Sequence, residues 1–418
     1  MAGILEELRN ENKKSGLFIS SDVGISYPTG MPILDQNLGN RYTLILPSGE
    51  KIVQTNVGVP AGRHTMLVGP SASGKSTAAI QMSWNVCRRF DEDSVVHYID
   101  GEQTMTWKRI KDISCASNEE LENKWHLEHE HTTWEDILAL IVKIHDKKKS
   151  DKDRYMYDTK QYDIFGNRIY YYKPTFIIVD SLMKIVSKGV DQSELQGLTA
   201  GGRDAIENKR WYRNTTDYMA ATNINVIMIN HLGNTINLQP GQGGSKQLTF
   251  IPTGKNIPGG EGPVYYSSSI VIFQPMNSKE FIKNEFEHGY NGYPVKALVC
   301  KSKTNRNGTV AEMIFSQDTG FNPVLTLAEF ARGKDLIKGR NPKCYFESNP
   351  ELTFDTRGVD FVKMIQSDPD ITRELYRVCK PALSDLIPDS SYQEEVDFMR
   401  SIKVRNQMYD LLDMEMGY

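Results

Sequence analysis

The chain has 418 residues, 39% hydrophobic and 24% charged, enough for one large core domain and smaller units. No apolar run approaches the length of a membrane span, and the N-terminus lacks the apolar core of a secretory signal. The net charge of −4 does not by itself suggest nucleic acid.

That total is unevenly placed. From Lys343 onward nine Lys and Arg face fifteen Asp and Glu, a net −6 that leaves +2 on the rest. An acidic tail on a slightly basic core fits a nucleic-acid binder that screens its own site, and fits plain solubility equally. The five cysteines (Cys87, Cys115, Cys300, Cys344, Cys379) have no paired spacing, so a reduced compartment without structural zinc is expected.

Residues 3–14 place Ile4, Leu5 and Leu8 on one side of a short helix, and Leu17 to Ser20 reads as a strand. Such a pair has no core of its own, so it must dock on this core or on a neighbouring subunit. Residues 40–57 read as a hairpin around Pro47-Ser48-Gly49-Glu50. Arg63 to Val68 is strand-like. Then comes Gly69-Pro70-Ser71-Ala72-Ser73-Gly74-Lys75-Ser76, followed by Thr77 and a helical stretch. Every fixed position of the phosphate-loop pattern G-x-x-x-x-G-K-[ST] is met, in the strand–loop–helix context that the chemistry needs. The glycines let successive N–H groups turn inward at phosphate oxygens, and the helix N-terminus adds partial positive charge. Lys75 is suited to the β- and γ-phosphates and Ser76 to Mg²⁺.

Ser94 to Ile99 is a second strand, ending in Asp100-Gly101-Glu102. Carboxylates at the C-terminal end of a buried strand lie where open α/β sheets bind ligand. His126, His129 and His131 form a cluster, but strand alternation sends His126 to one face and the other two to the opposite one, which argues against zinc. Residues 133–147 have helical spacing with a Thr cap. Residues 148–173 are polar and tyrosine-rich, and read as an exposed, self-packing hairpin around Phe165-Gly166-Asn167. Its tyrosines also offer faces on which bases can stack.

Phe176 to Ser181 is a continuous apolar run ending in Asp180, as expected of a buried parallel strand with a Mg²⁺-side acid. Asn225 to His231 is a third such strand. Strands alternating with helices predict a mostly parallel, helix-covered sheet. Two glycine-rich segments follow. One runs from about Lys188 to Gly202 into a basic helix with Arg203, Lys209, Arg210 and Arg213. The other runs from Gly233 to about Gly262, a length that in a compact domain is usually functional. Val299 to Thr304 is a strand end with Lys301 and Lys303 two residues apart. Residues 344–418 read as a small helical region, with apolar spacing at Phe361, Met364 and Ile365 and again at Met408, Leu411 and Leu412.

In this order the parts GPSASGKST (69–77), YIDGE (98–102), FIIVDSL (176–182), VIMINH (226–231), PGGEGPVYYSSSIVIF (258–273) and CKSKTN (300–305) resemble the RecA family of recombinases, in its phage UvsX-like branch. The resemblance covers roughly residues 28 to 320. It implies a RecA-type α/β phosphate-loop NTPase core over 28–342 and an N-terminal oligomerisation unit over 1–27, while the acidic helical region over 343–418 is read from its own residues. It departs from the family in the longer hairpin at 40–57, in the insertion at 148–173 and over the last ~75 residues.

By this resemblance ATP and Mg²⁺ are bound by residues 69–77 and Asp180, with Ser76 and Asp180 on the metal. Glu102 activates the attacking water. His231, at a position often Gln in the family, senses the γ-phosphate. Lys301 and Lys303 reach into the neighbouring subunit's ATP site. The glycine-rich segments become DNA-binding loops, with Arg203, Arg210, Lys246, Lys255, Gly259 and Gly260 at the polynucleotide. The implied protein is a DNA-dependent ATPase that forms helical filaments on single-stranded DNA and exchanges strands with a duplex. Loader and single-strand-binding proteins are its expected partners, and a bacterial cytoplasm is its expected setting if phage-encoded. A hexameric helicase on the same core, or a nucleotide-gated scaffold without strand exchange, are the competing readings.

Overall fold

A computed structural model describes residues 24–46, 48–130, 132–163, 166–188, 200–234, 248–276, 293–340, 342–355, 364 and 368–387, with backbone alone at 42, 45 and 200–204. The N-terminal helix and strand expected over 3–20 lie outside these residues, as do Phe361, Ile365, Met408, Leu411 and Leu412.

After helix α1 (Pro32–Leu38), strands β1 (Asn40–Ile45) and β2 (Lys51–Asn56) form the expected hairpin. Strand β3 (His64–Gly69) feeds the glycine loop and helix α2 (Lys75–Cys87). Strand β4 (Val96–Asp100) follows, then α3 (Trp107–Ser114), α4 (Asn118–Lys124), β5 (Trp125–Glu128) and α5 (Trp134–Ser150). Thr133 caps α5 in a capping box with Asp136, which satisfies N-terminal N–H groups that the helix cannot pair itself.

A second hairpin, β6 (Met156–Tyr162) and β7 (Arg168–Tyr172), precedes β8 (Thr175–Asp180). Helix α6 (Ala200–Thr222) leads into β9 (Ile224–His231), and helix α7 (Glu261–Tyr266) into β10 (Ser269–Pro275). Then come β11 (Tyr293–Ser302), β12 (Val310–Ser316), β13 (Gly320–Phe321) and α8 (Pro323–Gly333).

The central sheet has nine strands in the order β13-β12-β11-β10-β3-β9-β8-β4-β5. From β10 to β5 every neighbouring pair is parallel; β11, β12 and β13 add antiparallel neighbours. The period-two alternation of strands divides the core. Leu67, Tyr98, Ile178 and Ile227 face one apolar cluster with Ala78, Ala79 and Ile80 of α2. Met66, Val68, Val179 and Met228 face another with Ile137 and Ile141 of α5 and Trp211 and Tyr212 of α6. Among the described residues no helix is long and apolar enough to cross a membrane, and all five cysteines are free.

Two expectations need correction. The tyrosine-rich insertion is not an exposed ribbon. Tyr155, Tyr171 and Tyr172 are buried in the α2-side core, and only Tyr170 stands well out at 54% exposure. Gln54 of β2 exchanges two hydrogen bonds with the Tyr162 backbone, so the two hairpins are joined. Tyrosine bodies are apolar enough to be drawn into a core when their hydroxyls find partners; Tyr171 donates to Ala220 O.

The C-terminal region is not simply helical. Strands β14 (Ile337–Arg340), β15 (Lys343–Phe346) and β16 (Asn349–Phe354) form a three-stranded antiparallel sheet. A boundary at 342/343 therefore falls inside a hairpin. Helix α9 (Pro369–Ser384) follows, with Ile371, Leu375, Cys379 and Leu383 at four-residue steps. These residues, with Phe346 and Phe354, belong to the same cluster as α2. Short strands broken by Gly339 and the prolines carry too little alternation to stand out in the sequence.

Candidate active site

The C-terminal ends of β3, β4, β8 and β9 lie side by side, with His231 opposite Gly69 and Asp180 opposite Asp100. The glycine loop begins there. Gly74 caps α2 with φ +88°, and a Cβ on it would meet the Phe321 ring at 2.9 Å. A Cβ on Gly69 would lie 2.5 Å from Phe273 O. Gly74 needs glycine for its backbone and for room, and Gly69 for room alone.

Lys75 is almost wholly buried, and its Nζ donates to Pro70 O at 2.7 Å. Burial lowers its pKa, and the carboxylates of Asp180 and Glu102 act in the opposite direction. Ser73 Oγ is buried with no hydrogen-bond partner. An orphaned hydroxyl, a buried cation and a glycine-tight turn together form a cradle that suits phosphate oxygens. A cleft of about 440 Å³ opens over the loop, with Arg109 and Gln317 on its walls.

Ser76 Oγ donates to Asp180 Oδ2 at 2.6 Å. Tyr98 OH donates to the same oxygen at 2.6 Å. Burial raises the Asp180 pKa, the Ser76 and Tyr98 hydrogen bonds oppose that, and Glu102 and Asp100 add to it. The Asp180–Ser181 peptide bond is cis. Beside Asp180, Glu102 Oε1 accepts from Ser181 Oγ at 2.9 Å and lies 3.3 Å from His231 Nε2. The expected acid, metal-side Asp and sensor thus meet at one sheet edge.

Among the described residues no group of three His, Cys, Asp or Glu side chains is arranged to hold a metal. His126 lies 3.5 Å from Glu128, His129 lies 3.3 Å from Asp100, and His131 is outside the described residues.

The two glycine-rich segments leave this edge and are tied to it. Asn230 Nδ2, next to His231 in the chain, donates to Pro258 O at 2.8 Å. Gly233–Asn234 pairs with Lys255–Asn256 at the base of the second segment, where Lys255 Nζ donates to Asn234 Oδ1 at 2.7 Å. Gly259 has φ +101° and accepts from Asn208 Nδ2 of α6 at 3.1 Å. Gly260 has φ +83°, and a Cβ on it would touch Ala205 Cβ at 2.7 Å. The ends of both segments are therefore packed together through α6 and α7. Arg203 lies in the first turn of α6, Arg210 is exposed further along it, and Lys246 is outside the described residues.

Lys301 lies at the end of β11, two strands from β3, and Lys303 just beyond it. Lys301 Nζ donates to Val264 O at 2.6 Å and Tyr265 O at 2.8 Å, capping the C-terminus of α7. Burial pushes its pKa down to about 8. Lys303 is exposed.

Sequence reasoning missed Tyr98, Asn230, Asn208 and Arg109 as members of the site. Asn230 and Tyr98 sit inside motifs already singled out. Arg109 carried no signal: it joins only because Thr77 and Gln317 are brought to its guanidinium. Comparison with protein-family models and with curated proteins finds no match to the chain.

Proposed function

We propose that the chain is a Mg²⁺-dependent ATPase of the RecA type that forms helical filaments on single-stranded DNA and promotes pairing and strand exchange with a duplex. One observation carries this reading. A phosphate-loop Lys and Ser, a strand-end Asp and a Glu–His pair converge on the edge of a parallel sheet from which both glycine-rich segments depart.

The loop N–H groups, Ser73 Oγ and Lys75 hold the triphosphate, and Ser76 with Asp180 would hold Mg²⁺. When bound, Mg²⁺ supplies Lewis-acid charge at phosphate oxygens. Glu102 takes the proton from the attacking water, and Ser181 and His231 fix its carboxylate. His231 follows Asn230, whose bond to Pro258 O ties the second segment to the nucleotide edge. By the resemblance, Arg203, Arg210, Lys246 and Lys255 are the cations for the polynucleotide backbone, where few per subunit suffice because subunits act in series. Lys301 and Lys303 act on the neighbouring protomer's phosphates, as arginine fingers do.

The test is ATP turnover with and without single-stranded oligonucleotide, together with electron microscopy in an ATP analogue. DNA-stimulated turnover and open helical filaments are expected. Closed rings would favour the hexameric motor, and filaments inactive in a D-loop assay the scaffold. Full-speed hydrolysis by dilute monomer, indifferent to DNA, overturns the proposal.

A further inference from the structure

Tyr98 is fully buried on β4 among the α2-side core residues, two positions before Asp100. Its neighbour in register is Ile178 of β8, and its hydroxyl reaches diagonally to Asp180. A core position at this point needs only an apolar ring. The hydroxyl is an addition, and it is spent on one oxygen. Oδ2 of Asp180 accepts both the Tyr98 and the Ser76 hydrogen bonds, each 2.6 Å long. Bonds of that length to a carboxylate are the strong, charge-assisted kind. Oδ1 accepts none from the described side chains.

We propose that Tyr98 is a positioning residue for the divalent cation: it pins Asp180 through Oδ2, leaves Oδ1 to face the metal shell, and so biases the site toward Mg²⁺ over Ca²⁺. The physical reason is geometric. Mg²⁺ demands near-ideal octahedral oxygens at about 2.0–2.1 Å, whereas Ca²⁺ accepts six to eight ligands at about 2.3–2.6 Å, often a bidentate carboxylate. A carboxylate held by two donors on one oxygen cannot turn to offer both. One held by Ser76 alone can. Groups that orient a ligand from behind typically change metal affinity about 10–100-fold when lost.

This inference rests on the nucleotide-site reading above, and the experiment separates the two. Binding of a non-hydrolysable ATP analogue to the full chain is followed while Mg²⁺ or Ca²⁺ is titrated. For the wild type, the Mg²⁺ midpoint is expected about 10-fold or more below that for Ca²⁺. Tyr98→Phe keeps the ring and is expected to raise the Mg²⁺ midpoint about 10-fold, with the Ca²⁺ midpoint moving less than about 2-fold. Equal shifts for both metals, or none, overturn the positioning role and leave Tyr98 as packing. Should Tyr98→Phe fail to fold by circular dichroism, the wild type decides: a clear Mg²⁺ preference supports the role, and indifference between the metals overturns it. A folded wild type that binds no analogue with either metal refutes the nucleotide site itself.

Discussion

Lys75 and Lys301 stand in the same local condition and in opposite surroundings. Lys75 is buried and Lys301 half-buried, each donates to main-chain carbonyl oxygen, and burial lowers the pKa of each. Lys75 has the carboxylates of Asp180 and Glu102 to favour its charge. Lys301 has only Lys303, a second cation that lowers its pKa further. The first lysine therefore has carboxylates of its own chain beside it. Among the described residues the second forms no ion pair with a carboxylate.

Four experiments break or sharpen that contrast. The largest effect is expected from Lys75→Ala, which should lower ATP turnover by about 10³-fold or more in a steady-state assay; retained turnover removes Lys75 from the site. Glu102→Gln should lower kcat by about 10²-fold while leaving nucleotide affinity within about 2-fold. Unchanged kcat would show that the Ser181–Glu102–His231 arrangement is structural.

The double variant Lys301→Ala with Lys303→Ala should cut DNA-stimulated turnover by about 10-fold or more and move Tm by less than about 2 °C. If Tm collapses instead, capping of α7 is what Lys301 is for, and the two lysines differ in kind.

The smallest effect concerns Lys148, a third buried lysine, which donates to Lys173 O and Thr222 O. Burial pushes its pKa down to about 7. Between pH 7 and the ordinary lysine range the unfolded chain holds a proton there that the folded chain has lost. Stability from this group therefore rises as pH rises through that window. From pH 7 to pH 9 the wild type should gain about 1–3 °C in Tm over Lys148→Met; an unchanged difference would mean that Lys148 stays charged.

The sheet edge that carries the proposed site was legible because its signature is local. The phosphate loop needs eight consecutive residues, and the strand-end acids are announced by apolar runs that stop at Asp100 and Asp180. The C-terminal sheet was not legible, since β14, β15 and β16 are short and only Cys344, Phe346 and Phe354 of them are buried in the core. Nor was the burial of Tyr155, Tyr171 and Tyr172, because whether a tyrosine lies in or out depends on what the rest of the chain lays over it.

By itself, then, the sequence determined the strand–loop–helix around Lys75, the alternating strands and helices that make a parallel sheet, and the identity of the acids at its edge. These follow from backbone turns and hydrophobic period, which act over a few residues. Only the tertiary structure decided that Ser76 and Tyr98 share one oxygen of Asp180, that Asn230 holds Pro258, and that Lys301 caps α7. Those contacts join residues tens of positions apart, and hydrogen bonds of fixed length form only after packing has placed both partners.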